Sequence, residues 1–244
     1  MIRHAGQVAW FISLLSMLVA SILLSWFALS VWDYGFSIWY EYYEIRSHID
    51  HYGPQNRYIN GLSSLSAQEH VRLFSEITQS VHNHGHGLAN IGFSYQGKSQ
   101  AMLRVAEVVH LQDVANLIDG LRMLLYVSLL MVAVCVPVLV WIHCRPIWKI
   151  QGSLLLAVIA SLVGWLVVEG PKDVFYQVHV WIFPPEHEWF FYYQDSLMST
   201  LMKAPYLFGG IATVIVIGAV LIFSATLLFI KQLNARPIKT RGRL

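Results

Sequence analysis

The sequence predicts an all-α membrane protein with four transmembrane helices and a mainly helical extracytoplasmic cap. Four uncharged apolar runs support this prediction, each close to the roughly 20 residues with which a helix crosses about 30 Å of hydrocarbon. The runs are Val8 to Trp32, Met123 to Ile142, Ile150 to Val168 and Ala204 to Ile230. Charged residues make up only 12% of the chain, and the mean hydropathy is +0.53. All fourteen Asp and Glu residues lie in the two polar stretches between the runs.

These runs divide the chain into six parts. They are the N-terminus with the first span (1–32), the extracytoplasmic cap (33–122), the second and third spans with a short cytoplasmic turn (123–168), an aromatic extracytoplasmic loop (169–203), the fourth span (204–230) and a basic cytoplasmic tail (231–244).

Basic residues near the span ends predict the orientation, because Lys and Arg are enriched on the cytoplasmic side. They occur before the first run, between the second and third, and after the fourth: Arg3, Arg145, Lys149, Lys231, Arg236, Lys239, Arg241 and Arg243. These segments contain no Asp or Glu. We therefore expect both termini in the cytoplasm and both polar stretches on the outer face. Topology and anionic lipids account for the basic tail, so we expect no nucleic-acid partner.

The cap begins with a cluster of aromatic residues at positions 32–43, a composition typical of the headgroup region. Ser66 and Glu69 then form a capping-box pattern, and apolar residues recur at helical spacing up to Val81, which predicts one amphipathic helix. The segment 82–97 is rich in Gly and Asn and is interpreted as a loop. A second helix is predicted from about Ser99 through Ile118.

Three histidines, His82, His84 and His86, alternate in that loop. Alternation would project three imidazoles to one side of an extended segment, where they could bind zinc or copper. No neighbouring Cys or carboxylate pattern completes such a site. We therefore predict that this loop is solvated and binds no metal. Metal binding by the three histidines remains the alternative.

Glu107, His110 and Asp113 follow at intervals of three on the second predicted helix. At the rotation of a helix their side chains fall within an arc of about 120°. A carboxylate could then hydrogen-bond one ring nitrogen of His110 and leave the other free to take a proton. This suits a general base, although ordinary polar pairs on a surface helix have the same spacing.

The second polar stretch surrounds a single histidine, His179, with Phe, Trp and Tyr residues. Such surroundings disfavour the charged imidazole, which stays neutral and able to accept a proton near neutral pH. Aromatic walls at the membrane surface also suit acyl chains. The stretch could equally serve as an interfacial anchor with His179 as a filler.

Taken in order, the group of Glu107, His110 and Asp113 and the aromatic stretch around His179 resemble the lipoprotein intramolecular transacylase family, Lit. The resemblance depends on E-x-x-H-L-x-D-V at 107–114 and on D-x-F-x-x-x-H, F-P-P, W-x-F and D-S-L within 173–197. It implies a bacterial cytoplasmic-membrane enzyme that moves the sn-2 acyl chain of a diacylglyceryl-cysteine lipoprotein to its own α-amino group. The implied catalytic pair is His110 and His179, with five supporting residues: Glu107, Asp113, Asp173, Trp189 and Asp195.

The resemblance implies diacylglyceryl-modified lipoproteins and membrane lipids as partners, and no cofactor. Transfer from ester to amide needs a proton removed from the amine and one given to the departing alkoxide, and two imidazoles can share these tasks. Which histidine is the base stays open, as does an acyl-histidine intermediate. The chain has no G-x-S-x-G nucleophile motif. The alternative function is an outer-face metal- or lipid-binding membrane protein without catalysis.

Overall fold

The computed structural model describes residues 2–235, and side chains within residues 4–232. Most of the basic tail predicted to be cytoplasmic, including Arg236, Lys239, Arg241 and Arg243, lies outside the described residues, as does the side chain of Arg3. Contacts between Cα atoms divide the chain into a span unit, residues 1–25, 124–168 and 216–244, and a cap unit, residues 26–123 and 169–215.

Among the residues that the structure describes, four helices are long and apolar enough to cross a membrane, which confirms the predicted fold class. They are α1 (Ile2–Ser30), α5 (Val105–Trp141), α6 (Trp148–Glu169) and α9 (Tyr206–Ala235). Helix α5 has 37 residues and is therefore about 55 Å long, well beyond the roughly 30 Å of a hydrocarbon core. Its first turns, which include Glu107 and His110, belong to the cap unit.

The span unit has an apolar core and a small polar contact between helices. This core contains the buried residues Trp10, Leu14, Met17, Val136, Leu139 and Ile230. Gln151, which is 1% exposed, donates from Nε2 to the Gln7 carbonyl at 3.0 Å. The indole of Trp10 donates to the Cys144 carbonyl at 2.6 Å. These bonds satisfy polar groups that would be costly to leave unpaired in an apolar environment.

The cap unit contains further helices, α2 (Phe36–Tyr42), α3 (Ile45–Tyr52), α4 (Ala67–His82), α7 (Pro171–Ile182) and α8 (Leu197–Met202). The predicted start of α4 is confirmed, since the Ser66 hydroxyl accepts from the Glu69 backbone N–H at 3.2 Å. The ring of Phe74 on α4 stacks on Phe36 with centroids 4.0 Å apart. This contact joins α4 to α2 in the core of the cap unit.

His70 lies at the centre of that core and is fully buried. Its Nε2 donates to the Leu62 carbonyl at 2.8 Å, so in the neutral ring Nδ1 accepts from the Tyr40 hydroxyl, also at 2.8 Å. Burial lowers the pKa of His70 below its ordinary value. The imidazole is therefore a fully bonded core residue, which leaves it no free nitrogen for chemistry.

The prediction for residues 92–104 is wrong. A hairpin of β1 (Gly92–Tyr95) and β2 (Lys98–Ala101) occupies the end of the expected loop and the start of the expected helix, and α5 begins at Val105. The two residues between the strands, Gln96 and Gly97, both have positive φ, as a tight hairpin turn requires. Helix α5 then continues from the predicted cap helix, which was expected to end near Ile118, into the second predicted span without interruption.

The expected loop at 169–203 also contains regular structure, because α7 and α8 lie within it. Helix α7 begins with Pro171 at a position where its missing N–H costs nothing, and it ends before Pro184. Helix α8 begins after Ser196, whose hydroxyl accepts from the Ser199 N–H at 2.9 Å. These two ends place His179 and Ser196 on defined backbone.

Candidate active site

Glu107 lies in the first turn of α5 and is fully buried. Its Oε2 accepts from the Arg104 backbone N–H at 2.7 Å, which closes the start of the helix. Its Oε1 accepts from the Ser196 hydroxyl at 2.5 Å. The same hydroxyl caps α8, so Glu107 joins the beginnings of two helices that are far apart in sequence.

His110 is one turn further along α5 and is 9% exposed. Its ring packs against Phe183, with centroids 5.0 Å apart, and against Phe191 at 5.9 Å. Nδ1 is buried and has no hydrogen-bond partner among the described residues. A buried donor or acceptor without a partner is uncommon and is often found at functional sites.

His179 lies near the end of α7, and its Nδ1 is 2.8 Å from the Phe175 carbonyl. Because a carbonyl oxygen can only accept, Nδ1 carries the proton, and Nε2 of the neutral ring has a free lone pair. The ring lies 3.9 Å from Phe175 and 4.9 Å from Trp189, centroid to centroid. Burial lowers the pKa of His179, and the hydrogen bond to Phe175 acts in the opposite sense more weakly. His179 is therefore positioned as a proton acceptor.

Phe183 brings the two histidines together. Its ring centroid is 5.0 Å from that of His110 and 5.2 Å from that of His179. The two imidazole centroids are thus no farther apart than the two distances together, about 10 Å. A reacting ester and amine are small enough to reach both rings, so the pair predicted from separate segments shares one aromatic site.

The carboxylates expected to orient His110 have other partners. Glu107 bonds Arg104 and Ser196, and Asp113 accepts from His187 Nδ1 at 2.7 Å. Long side chains on a helix lean towards its N-terminus, which directs Glu107 away from the following turn. Within the described structure His110 is therefore held by aromatic packing, and no hydrogen bond from either carboxylate orients it.

The remaining supporting residues differ in their surroundings. Trp189 packs against His179, as described above. Asp195 forms an ion pair with Arg57 at 3.2 Å, and its side chain is 18% exposed. Asp173 is exposed in the first turn of α7, where a negative charge is favourable for the helix. Of these three, Trp189 is the one that contacts a histidine of the pair.

Arg104 is a site residue that sequence reasoning missed. Its guanidinium carbon lies 4.6 Å from the ring centroid of Tyr58 and 5.8 Å from that of Phe191. Its Nε is 3.5 Å from Glu107 Oε2. Phe191 contacts both Arg104 and His110, so one aromatic ring separates the positive charge of Arg104 from the imidazole. The one feature of the sequence that could have pointed to Arg104 is its position three residues before Glu107, which is typical of a helix cap.

The histidine triad of the metal alternative does not converge. His82 Nε2 is hydrogen-bonded to the Tyr34 hydroxyl at 2.7 Å, and His84 Nδ1 to Asp119 at 2.6 Å. Within residues 4–232, whose side chains the structure describes, no three His, Cys, Asp or Glu side chains lie where they could hold a metal ion. His82 therefore belongs to a partly buried polar pair and His84 to an exposed one.

Four membrane-crossing helices among the described residues, with two histidines that contact one phenylalanine, define an integral membrane protein with an aromatic site. The sequence itself matches no protein-family model and no curated protein. Three solved structures of the membrane-integral lipoprotein intramolecular transacylase Lit from Bacillus cereus match the fold, each over 94% of this chain.

The three structures are similar to this chain to nearly the same degree. One carries a histidine-to-arginine substitution, is matched over 93% of its length at 14% identity, and gives a TM-score of 0.63. Another carries a histidine-to-alanine substitution and is matched over 95% of its length at 15% identity, with a TM-score of 0.64. The third is matched over 97% of its length at 13% identity, also with a TM-score of 0.63. The fold predicted from the resemblance is thereby confirmed.

Proposed function

We propose that this protein is an O-to-N transacylase that acts on diacylglyceryl-modified lipoproteins in a bacterial cytoplasmic membrane. The observation that carries the proposal is the convergence of His110 and His179 on Phe183 in a chain with the Lit fold. The acyl chain leaves the sn-2 oxygen of the lipid-modified cysteine and joins the α-amino nitrogen of the same cysteine. The single product is an N-acylated lipoprotein whose glyceryl group has lost its sn-2 acyl chain.

The reaction forms one C–N bond, breaks one ester C–O bond and moves one proton from the amine to the departing oxygen. His179 accepts the amine proton at Nε2, whose lone pair is free because Nδ1 donates to Phe175. As the ester C–O bond breaks, His110, which also contacts Phe183, gives its ring proton to the sn-2 oxygen. The proton that His179 took from the amine then passes to His110, so one proton moves in all and both imidazoles end neutral, as they began. Because the amine and the ester belong to one molecule, orientation supplies much of the rate, so a covalent acyl-enzyme is not needed.

The orientation in the membrane is part of the proposal. Both termini lie in the cytoplasm, and the cap unit with its histidine pair lies on the extracytoplasmic face. Arg145 in the turn between α5 and α6 supports this placement through the enrichment of basic residues on the cytoplasmic side. The substrate lipoprotein is then met on the face where its modified cysteine is exposed.

Expression in a host whose lipoproteins are diacylated with a free N-terminal amine tests the proposal. We expect mass spectrometry of a lipoprotein's N-terminal peptide to show an unchanged total mass with the acyl group now on nitrogen, detected by fragmentation. Resistance of that acyl group to mild alkaline hydrolysis is a second readout, since amides survive where esters do not. N-terminal peptides that keep a free amine, with the protein present in the membrane, would contradict the proposal.

The protonation of His179 offers a test that needs no substrate. Because burial lowers the pKa of His179, we expect its NMR signal, assigned by its loss in His179→Gln, to titrate with a midpoint below the ordinary value of about 6.5. Above that midpoint the ring is neutral and can accept a proton. Below it the ring is already protonated and cannot act as a base. Trp189→Ala removes an aromatic neighbour and should move the midpoint upwards, whereas Trp32→Ala, at an exposed ring, should not. A midpoint at or above about 6.5 would contradict the expected lowering of the His179 pKa.

A further inference from the structure

A cavity of about 750 Å³ in the cap unit is lined by none of the residues assigned to the candidate active site. Its walls come from the end of α2 and the turn that follows it, from α3, from the segment before α8, and from the segment that leads from α8 into α9. Most of the lining side chains are tyrosines, which combine a flat apolar face with a hydroxyl. The cavity is therefore a second concave site with its own chemistry.

Lys203 supplies the cavity with a fixed positive charge. It ends α8 in a left-handed conformation, with φ of 43°. Its Nζ donates to the Tyr43 carbonyl at 2.5 Å and lies 5.8 Å from the ring centroid of Tyr206. No carboxylate of a described residue forms an ion pair with this ammonium. Two of its three N–H donors thus remain for a ligand.

His48 adds a second polar group that lacks a partner. Its ring lies against Tyr52, with centroids 4.7 Å apart, and Tyr193, at 4.5 Å, and its Nε2 is buried without a hydrogen bond. Burial, and then the positive charge of Lys203, lowers the pKa of His48 to about 4. His48 is therefore uncharged at neutral pH, and the ammonium of Lys203 in the cavity wall favours an anionic group over a second cation.

Two other titratable groups lie in or near this cavity. Glu44 lines the cavity with an exposed carboxylate, and His51 acts on His48 from the next turn of α3. The Glu44 carboxylate repels any anion, and it therefore disfavours a ligand with two negative charges more than a ligand with one. A phosphodiester carries one such charge and offers several acceptor oxygens to an ammonium, a hydroxyl and an imidazole.

The position of the cavity in the chain indicates where such a phosphodiester comes from. Pro205 and Tyr206, both in its wall, lie where the fourth candidate span, Tyr206–Gln232, begins. Tyrosines at a span end lie at the level of the lipid headgroups. We propose that this cavity binds the phosphate group of a membrane phospholipid, with Lys203 as its cationic contact and His48 as a second contact.

Native mass spectrometry of the full-length protein in detergent, titrated with phosphatidylglycerol, tests this proposal without any turnover. We expect one saturable lipid adduct, weakened about tenfold in Lys203→Met, retained in Lys203→Arg and unchanged in Lys98→Met, whose lysine lies on the exposed hairpin. Equal adduct formation by Lys203→Met and the unsubstituted protein would overturn the proposal. So would displacement of the lipid by inorganic phosphate at the same concentration, since the site would then be one for free phosphate.

A second measurement keeps the test valid if Lys203→Met does not fold. The NMR signal of His48 in the unsubstituted protein, assigned by its loss in His48→Gln, should titrate at a higher pH once short-chain phosphatidylglycerol is added. The bound negative charge favours the imidazolium and so raises the pKa of His48. An unchanged midpoint at saturating lipid would mean that the phosphate is elsewhere. Because neither readout involves acyl transfer, failure here leaves the proposed transacylase untouched.

Discussion

His110→Ala and His179→Ala are each expected to reduce N-acylation of the lipoprotein by about 100-fold or more, the range typical of losing a positioned proton-transfer group. Both rings contact Phe183, and each variant removes one of the two imidazoles between which the ester and the amine must lie. The measurement is the ratio of N-acylated to free-amine N-terminal peptide by mass spectrometry. The double variant should be little worse than either single one, because groups that act as a unit lose their effect together.

His84→Ala is the matched control for these variants. His84 belongs to the same cap unit, its side chain is 60% exposed, and it is bonded to Asp119 rather than to the site. We expect it to keep most of the activity. Equal losses in His84→Ala and His110→Ala would point to a general effect on the cap or to a metal site, and would remove the reason for a two-histidine mechanism. The midpoints of thermal unfolding for all three variants separate lost chemistry from lost folding.

The parts of the fold that were predictable are those that local chemistry determines. Apolar runs of sufficient length identify spans because the bilayer leaves few other solutions, and Ser66 indicates the start of α4 through its own hydrogen bond. The hairpin at 92–101 was missed because its turn, Gln96-Gly97, is not one of the strongest hairpin pairs and its second strand is polar. Helix α7 was missed because aromatic residues beside Pro-Pro are common in loops.

In the candidate site, residue types were predictable and partners were not. His110 and His179 stood out because of their aromatic or acidic neighbours in sequence, together with the resemblance. The contact of Asp113 with His187 joins residues 74 positions apart, and that of Glu107 with Ser196 joins residues 89 apart. Pairs so distant are decided by how α5, α7 and α8 pack. Spacing along a single helix could therefore suggest only the local partner, His110, for both carboxylates.

Glu107→Ala is expected to lower the free energy of unfolding by about 3 kcal/mol, because it leaves buried donors without an acceptor. The fully buried carboxyl accepts from the Ser196 hydroxyl and the Arg104 backbone, and it lies beside the Arg104 guanidinium. Without it, the starts of α5 and α8 lose their common contact. We also expect weaker N-acylation, since His110 lies one turn further along α5. Denaturant unfolding in detergent micelles measures the first effect, and the lipopeptide assay measures the second.

Glu76→Ala provides the comparison, because it removes the same type of side chain from an ion pair with Arg72 in which both partners are 38% exposed. Its expected cost is about 0–1 kcal/mol, as solvent screens such a pair. Ser196→Ala removes the other end of the buried bond, so the double variant with Glu107→Ala should cost clearly less than the two single changes added. Strict additivity would mean that Glu107 and Ser196 act independently. A Glu107→Ala protein as stable as Glu76→Ala would show that the buried carboxyl does not hold the two helix starts together.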